Sequence, residues 1–280
     1  MLSTKNKIRL AAAASYGLRG LRRLMGAGDI VDVERHGLRW RLDLAEGIDI
    51  AIFLFGKFEP TTVAACGRLV QTSHVVLDIG ANIGAHTLWL ARMVGESGKV
   101  YAFEPTAYAF RKLSQNLALN PVLQGQVIAE QVMLVDRMDT AVTPEIYSSW
   151  PLNGGENLHA AHLGRPESTA GARSETLESY TAGFARIDLI KLDVDGFECQ
   201  VLEGGMGLLK KHKPIIVMEL APYVLEERGA SLEQLLGLLS QGGYALYHLD
   251  GATAIAPDPA RLRAMIPHGA SLNIVARPRE

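Results

Sequence analysis

The sequence has few of the residues that mark secreted, membrane-spanning or metal-binding proteins. Its 280 residues include only two cysteines, Cys66 and Cys199, which lie too far apart for a local metal-ligand motif. No apolar run reaches the roughly 18 residues that a membrane-spanning helix needs. The net charge is only -2, so no overall basic field favours nucleic acid. These absences predict a cytoplasmic protein with reduced thiols, no transmembrane segment and no nucleic-acid partner.

Acidic residues are absent from the first 28 positions. The same segment contains six basic residues, which are Lys5, Lys7, Arg9, Arg19, Arg22 and Arg23. Basic, alanine-rich segments of this kind are typical of helices that pack on a domain, and we favour that interpretation. A peripheral contact with a membrane surface and a targeting peptide are the alternatives.

Short apolar runs rich in β-branched residues alternate with helical patterns along most of the chain. We predict strands at 30–35, 38–44, 74–79, 99–103, 127–135, 187–192, 214–220, 244–249 and 271–276, and helices at 85–94, 107–119, 200–211 and 232–240. This alternation is typical of a doubly wound α/β fold with a mostly parallel, Rossmann-like sheet. The last two strands lack a clear helix between them, which predicts an antiparallel edge.

Two composition changes divide the chain. Residues 1–70 hold the basic segment, a hairpin and a lead-in segment, whereas residues 71–280 form the predicted cofactor-binding domain. Residues 136–175 interrupt that domain with many glycines and prolines. Irregular insertions of this length inside a compact domain are usually functional or disordered, so we expect this insertion to cover the acceptor site.

The clearest functional signal follows the strand at 74–79. There the sequence reads Asp78-Ile-Gly80-Ala-Asn82-Ile-Gly84 and leads into a helix. Glycines let the backbone approach a ligand, and a helix N-terminus offers free N–H groups. Ligands of open α/β sheets bind outside the carboxyl ends of the strands. We therefore predict that Asp78, Gly80, Asn82 and Gly84 bind a cofactor.

The residues around this turn favour one cofactor over another. A dinucleotide fold prefers Gly-x-Gly-x-x-Gly, but Asn82 occupies the position of the middle glycine. Asp78 would repel a pyrophosphate and suits a ligand with an ammonium group. Glu104 ends the next strand, where a carboxylate can accept hydrogen bonds from ribose hydroxyls. These features predict S-adenosylmethionine as the cofactor.

A second group of acidic residues follows the strand at 187–192. Asp193 ends this strand on the same side as the glycine turn, and we predict that it is catalytic, either as the base that takes the proton of the acceptor hydroxyl or as a ligand of a metal ion. Asp195 and Glu198 have capping-box spacing, which favours a structural role. Together with Glu219 these carboxylates also suit Mg²⁺, although no metal site is assigned. The loop histidines His159, His162 and His268 are alternative bases, whereas His86 is more typical of a packed or solvated imidazole.

The stretches VVLDIGANIGAHTLWLA, VYAFEP, LSQNLALN, DLIKLDVDGFECQVLEGG and PIIVMEL resemble the FkbM family of methyltransferases over roughly residues 50–278. Gly56-Lys57-Phe58-Glu59 is similar to the family's Gly-x-Tyr-Glu segment, and Asn273 to its late asparagine. The resemblance implies a class I methyltransferase fold and adds Glu59 to the cofactor-binding set. Asp195 departs from the family, which more often has Glu there.

The family resemblance implies O-methylation of a hydroxyl, typically on a sugar, a glycan or a polyketide ring. It leaves the acceptor open, and the sequence does not decide between O- and N-methylation or fix the oligomeric state. The alternatives are an NAD-dependent oxidoreductase and a non-catalytic nucleotide-binding module with the same fold.

Overall fold

Helices and strands alternate along most of the chain in the structure, a computed structural model that describes residues 4–279. The helices are α1 (Thr4–Leu24), α2 (Gly47–Phe55), α3 (Pro60–Leu69), α4 (Thr87–Val94), α5 (Ala107–Ala118), α6 (Leu177–Tyr180), α7 (Glu198–Glu203), α8 (Met206–His212), α9 (Pro222–Glu227), α10 (Leu232–Gln241) and α11 (Pro259–Met265). The strands are β1 (Ile30–Arg35), β2 (Leu38–Asp43), β3 (Val75–Ile79), β4 (Lys99–Phe103), β5 (Val127–Glu130), β6 (Val132–Val135), β7 (Glu145–Ser149), β8 (Arg165–Ser168), β9 (Arg173–Thr176), β10 (Leu189–Leu192), β11 (Ile215–Leu220), β12 (Tyr244–His248), β13 (Ala254–Ile255) and β14 (Leu272–Pro278).

Within residues 4–279, the main sheet has eight strands in the order β13-β12-β14-β11-β10-β3-β4-β5. The strands from β11 to β5 are parallel, which confirms the predicted doubly wound α/β fold. The chain builds outward from β3 to β5 and later continues from β10 to β11 on the other side of β3. The order therefore reverses between β3 and β10, and a crevice at such a switch point is the usual ligand site.

The other end of the sheet is antiparallel, as the sequence predicts. Strand β14 lies between β11 and β12 and runs antiparallel to both. The prediction missed the short β13 and α11 that separate β12 from β14. Helix α11 has only seven residues and begins after Asp258, whose carboxylate accepts hydrogen bonds from the N–H groups of Ala260 and Arg261. An N-cap of this kind supports a helix too short to show a clear periodicity.

Two predicted elements are each divided in the structure. The predicted strand 127–135 breaks at Gln131, so that β5 joins the main sheet and β6 pairs with β9. The predicted helix 200–211 breaks at Gly204–Gly205 into α7 and α8. A Cβ on Gly204 would lie 2.1 Å from the carbonyl oxygen of Val135, so the break lets β6 pack closely. The insertion is also less irregular than predicted, because it contains β7, β8 and most of β9.

The N-terminal segment forms a helix that packs on the domain, as the sequence analysis favours. Helix α1 contacts α2, and the Ser15 hydroxyl donates a 2.5 Å hydrogen bond to the Leu44 carbonyl. Arg19 forms a 2.7 Å ion pair with Asp29, and Lys5 donates to the carbonyl of residue 160 in the insertion. No single helix among residues 4–279 is long and apolar enough to cross a membrane; α2 and α3 pass by length and composition only as a pair bent by 71°.

Candidate active site

A cavity of about 690 Å³ opens at the carboxyl ends of β3, β4, β10 and β11. This volume lies within the usual range of about 300–1,000 Å³ for ligand sites. One side, which we call the strand-end wall, consists of Gly80, Asn82, Glu104, Lys191 and Asp193. A second part of the lining, the outer wall, consists of the residues that α1, α2 and the insertion 136–175 contribute. The cavity therefore joins the core sheet to the segments added around it.

Gly80 brings the turn after β3 against the end of β10. Its φ of +81° lies in the left-handed region, and a Cβ there would stand 1.7 Å from the carbonyl oxygen of Asp193. Asn82 lines the cavity and also has a left-handed backbone, with φ 48°. Gly84 does not line the cavity. It lies against α5 instead, where a Cβ on Gly84 would meet the Leu113 side chain at 2.8 Å. The last glycine of the motif serves helix packing, and its part in cofactor binding stays a prediction.

Asp78 lies behind the cavity wall rather than on it. Its side chain is fully buried, and Oδ2 accepts a 2.6 Å hydrogen bond from the hydroxyl of Thr87. Oδ1 is buried as well and has no hydrogen-bond partner in the described part of the chain. Burial raises the pKa of Asp78, and the nearby Lys191 ammonium opposes this rise. Asp78 thus orders the first turn of α4, and a direct contact with the cofactor stays a prediction.

Glu104 faces the cavity at the end of β4 and is nearly fully buried. Oε2 accepts a 3.0 Å hydrogen bond from the Asn82 N–H, and Oε1 accepts bonds from the N–H and hydroxyl of Thr106. Thr106 in turn contacts the hydroxyl of Ser148 at 2.8 Å, and the Asn82 amide donates to the Ser148 carbonyl. Burial raises the pKa of Glu104. The carboxylate is therefore fixed by the glycine turn and connected to the insertion.

Glu59, which entered the predicted set only through the family resemblance, lines the cavity between α2 and α3. It has a left-handed backbone with φ 45°, an unfavourable conformation for a residue with a side chain and one that clusters at functional sites. Asn273 donates a 3.1 Å hydrogen bond to Oε1, and His86 Nε2 lies 3.7 Å from Oε2. Burial and the negative charge of Asp193 raise the pKa of Glu59. Burial lowers the pKa of His86 to about 3, so this imidazole is neutral at physiological pH.

Lys191 is a site residue that the sequence analysis missed. It is 4% exposed, and its ammonium donates to Asp193 Oδ2 at 3.0 Å and to the Gly80 carbonyl at 3.3 Å. Burial alone would lower the pKa of Lys191, but the carboxylates of Asp193 and Asp78 raise it above its ordinary value. The signal in the sequence is a lysine inside the apolar run IDLIKL, where a cation needs a buried partner.

The predicted capping box after β10 does not form, although the structural role predicted for Glu198 is confirmed. Glu198 does support the turn, because Oε1 accepts hydrogen bonds from the N–H groups of Val194 and Gly196. Asp195 is not the N-cap, since α7 begins at Glu198 and Phe197 precedes it. Asp195 instead has a left-handed φ of 48° and lines the cavity. Burial and the charge of Asp193 raise its pKa well above the ordinary value.

Two of the predicted loop histidines form part of an aromatic cluster in the outer wall. The rings of His159 and His162 stack with centroids 3.9 Å apart, and Tyr147 meets both edge-on. His159 Nε2 lies 3.0 Å from the Glu227 carboxylate, while His162 lines the cavity. His268 contacts the ring of a neighbouring tyrosine at 5.7 Å. Tyr147 and Trp150 line the same side, so the insertion supplies an aromatic surface.

The charges around the cavity match S-adenosylmethionine better than a metal ion. Among the described residues, five carboxylates and two lysines line the cavity; they are Glu59, Glu104, Asp193, Asp195, Glu219, Lys57 and Lys191. Burial, together with the charges of Asp193 and Glu59, also raises the pKa of Glu219 well above normal. A ligand with a sulfonium and an ammonium would supply positive charge to this acidic surface. No group of three His, Cys, Asp or Glu side chains in residues 4–279 has an arrangement that could hold a metal.

Comparisons with known proteins identify the family of the chain. The profile of the Methyltransferase FkbM domain matches residues 78–246. The methyltransferase sdnD of Sordaria araneosa is 32% identical over 155 residues, which cover 46% of this chain and 59% of that protein. The chain thus aligns with less than two thirds of that relative.

Solved structures similar to this chain include a SAM-dependent O-methyltransferase from Thermotoga maritima, with a TM-score of 0.45 and 14% identity, covering 93% of this chain and 82% of that one. Another is M. jannaschii TYW2 in complex with AdoMet, with a TM-score of 0.40 and 15% identity, covering 89% and 84%. The family profile spans more than half of the chain and includes both the glycine turn and Asp193. The chain belongs to the FkbM methyltransferase family, whose cofactor is S-adenosylmethionine.

Proposed function

We propose that the protein transfers the methyl group of S-adenosylmethionine to a hydroxyl oxygen of a sugar, glycan or polyketide-type acceptor. The observation that carries this proposal is the position of Asp193. Its backbone carbonyl is packed against Gly80 of the cofactor turn, and its side chain is anchored by Lys191. This geometry supports a carboxylate base between the predicted cofactor and an acceptor in the same cavity.

The strand-end wall would bind the cofactor. Glu104 is positioned by Asn82 and Thr106 and would accept hydrogen bonds from the ribose hydroxyls. Left-handed backbones at Gly80 and Asn82 open the turn toward the cavity. When bound, S-adenosylmethionine supplies an activated methyl group, so the protein mainly has to hold donor and acceptor in line.

The outer wall would hold the acceptor. Its aromatic side chains, among them Tyr147 and Trp150, offer flat apolar faces that suit the C–H faces of a sugar or a polyketide ring. Lys191 holds one oxygen of Asp193, which leaves the other to accept the proton of the acceptor hydroxyl. Glu59 is the second candidate base, because its pKa is raised and it faces the same cavity.

The test is a comparison of Asp193→Asn with the wild type. We expect kcat to fall about 10²- to 10⁴-fold, because the amide cannot take a proton, while the Kd for S-adenosylmethionine changes little. Asp139→Asn, at an exposed aspartate of the insertion, is the matched control and should keep wild-type kinetics. A normal kcat in Asp193→Asn would transfer the role of base to Glu59.

A second measurement tests the reaction class itself. Calorimetric titration should give saturable binding of S-adenosylmethionine and none of NAD, and mass spectrometry over glycans, polyketides and small alcohols and amines should find the methyl on oxygen. A methylated nitrogen, or tight binding of NAD, would contradict the proposal.

A further inference from the structure

Helix α1 presents an apolar stripe that no part of the described chain covers. Leu10, Leu21 and Leu24 are 65%, 56% and 87% exposed. With Ala14 and Gly17 they follow alternating spacings of four and three residues, which place all five on one face of the helix. The opposite face includes Ser15 and Arg19, whose bonds to Leu44 and Asp29 hold α1 on the domain. The orientation of the helix is therefore fixed, and the stripe points outward.

The stripe adjoins the mouth of the active-site cavity. Helix α1 packs on α2, whose last residues, Leu54 and Phe55, are 46% and 68% exposed. These two residues and Leu10 also line the cavity. The same side chains thus belong both to the exposed surface and to the cavity wall, so the cavity opens within an apolar surface. The apolar side chains at such an opening offer no hydrogen bonds to a polar acceptor that enters from water.

The segment that carries the stripe has an excess of positive charge. Residues 1–28 contain six basic residues and no acidic one, and Arg9 is exposed beside the stripe, whereas Arg19 and Arg23 pair with Asp29 on the opposite face. A symmetric contact between two copies places the same patch on both partners, so it would bring two of these basic segments together. A surface that combines exposed leucines and phenylalanine with arginines instead complements an anionic lipid surface.

We propose that the stripe of α1 and the end of α2 dock on an anionic lipid bilayer, with the mouth of the cavity facing the lipid. A second statement rests on the proposed function as well: the methyl acceptor is an amphipathic molecule that enters the cavity from the bilayer. The hydroxyl would reach Asp193 along the outer wall, while the apolar part of the molecule stays at the membrane.

Sedimentation with lipid vesicles tests the docking without any methyl transfer. Wild-type protein should bind vesicles of phosphatidylglycerol and phosphatidylcholine, and binding should weaken at least tenfold on pure phosphatidylcholine or in high salt. The double variant Leu21→Glu/Leu24→Glu should lose at least tenfold in binding. Neither residue lines the cavity, so its S-adenosylmethionine affinity, measured on the same sample, should equal that of the wild type.

The matched control is Val122→Glu/Met138→Glu, which charges two exposed apolar residues away from α1 and should bind vesicles like the wild type. Arg9→Glu is a milder second variant that keeps the apolar stripe and should weaken binding to the anionic vesicles alone. If the double variant fails to bind S-adenosylmethionine and so is not folded, Arg9→Glu decides the outcome.

Three results would overturn the proposal. They are no binding to anionic vesicles, equal binding by wild type and the stripe variants, and a wild-type dimer in solution that Leu21→Glu/Leu24→Glu dissociates, which would identify a second copy as the occupant. Vesicle binding by a protein that methylates no acceptor would instead refute the proposed function and leave the docking surface intact.

Discussion

The two walls of the cavity are built by different physical means. The strand-end wall is made of backbone turns and charged side chains, each fixed by several hydrogen bonds, as at Glu104 and Lys191. The outer wall is made of apolar and aromatic surfaces, as at Phe55 and Trp150, and part of it is exposed. Because the strand-end wall has little freedom to change, it suits a constant cofactor. Apart from Ser148, which bonds to Asn82 and Thr106, the outer wall makes few polar contacts with the strand ends, so it suits the choice of acceptor.

The largest expected effect is on the free energy of unfolding, which should respond differently to a backbone change in the strand-end wall and in the insertion. Gly80→Ala should lower the free energy of unfolding by about 3–5 kcal/mol, because its Cβ would overlap the Asp193 carbonyl. Gly154→Ala, in the insertion, also has a positive φ but meets nothing within 4 Å, so it should cost only about 1 kcal/mol. Urea denaturation of both variants measures the difference. Equal costs would show that the strand-end wall is no more constrained than the insertion.

The next effect concerns ligand affinity. Glu104→Gln removes charge-assisted hydrogen bonds and should weaken S-adenosylmethionine binding about 10- to 100-fold, with little change in kcat at saturation. Trp150→Phe in the outer wall should leave this Kd unchanged and raise the KM of the acceptor. Calorimetry and saturation kinetics on both variants provide the measurements. Weakened cofactor binding by the Trp150→Phe enzyme would show that the two walls do not bind separate ligands.

The effect that is smallest near neutral pH is a pH dependence of the free energy of unfolding that comes from the outer wall. Burial lowers the pKa of His162 to about 4, with His159 and the Arg228 guanidinium acting in the same direction. Between about pH 4 and 6.5 the unfolded chain therefore binds more protons than the folded one at this site. The free energy of unfolding should rise with pH there, by up to about 1.4 kcal/mol per pH unit. As the pH falls below 6.5, protonation of the unfolded chain at this histidine therefore destabilises the folded state.

The control for this effect is the difference between wild type and His162→Phe across the same pH range. That difference isolates His162 from His86, whose pKa of about 3 adds a slope of the same sign in both proteins. Parallel pH profiles for the two proteins would show that His162 is not buried as a neutral imidazole in solution.

The sequence predicts the parallel core and the strand-end residues well because their signals are local. Apolar runs, the glycine turn and the acidic strand ends are contiguous patterns, and parallel strands bring their carboxyl ends together. The pattern does not tell which side of the wall a residue faces. Asp78 bonds to Thr87 and Gly84 packs on α5, so neither reaches the cavity although both belong to the motif.

The outer wall was harder to predict because its contacts are distant in sequence. Lys5 meets the carbonyl of residue 160, and β6 pairs with β9 across the insertion. The role of Lys191 is hard to predict for the same reason, since it depends on carboxylates that come together only in the folded chain. The family resemblance supplied Glu59, which no local pattern indicated.

The position of β14 has a consequence for how the chain assembles. This strand follows β13 in sequence but occupies the interior of the sheet, between β11 and β12. During synthesis one edge of β11 therefore stays without its native partner until Leu272–Pro278 has left the ribosome. Strand β12 also lacks its native link to the rest of the sheet until then. Non-local pairing of this kind is slow to form and leaves an unpaired edge exposed meanwhile. A chain shortened before Leu272 would lose an interior strand, with β12 and β13 detached as well, rather than a dispensable tail.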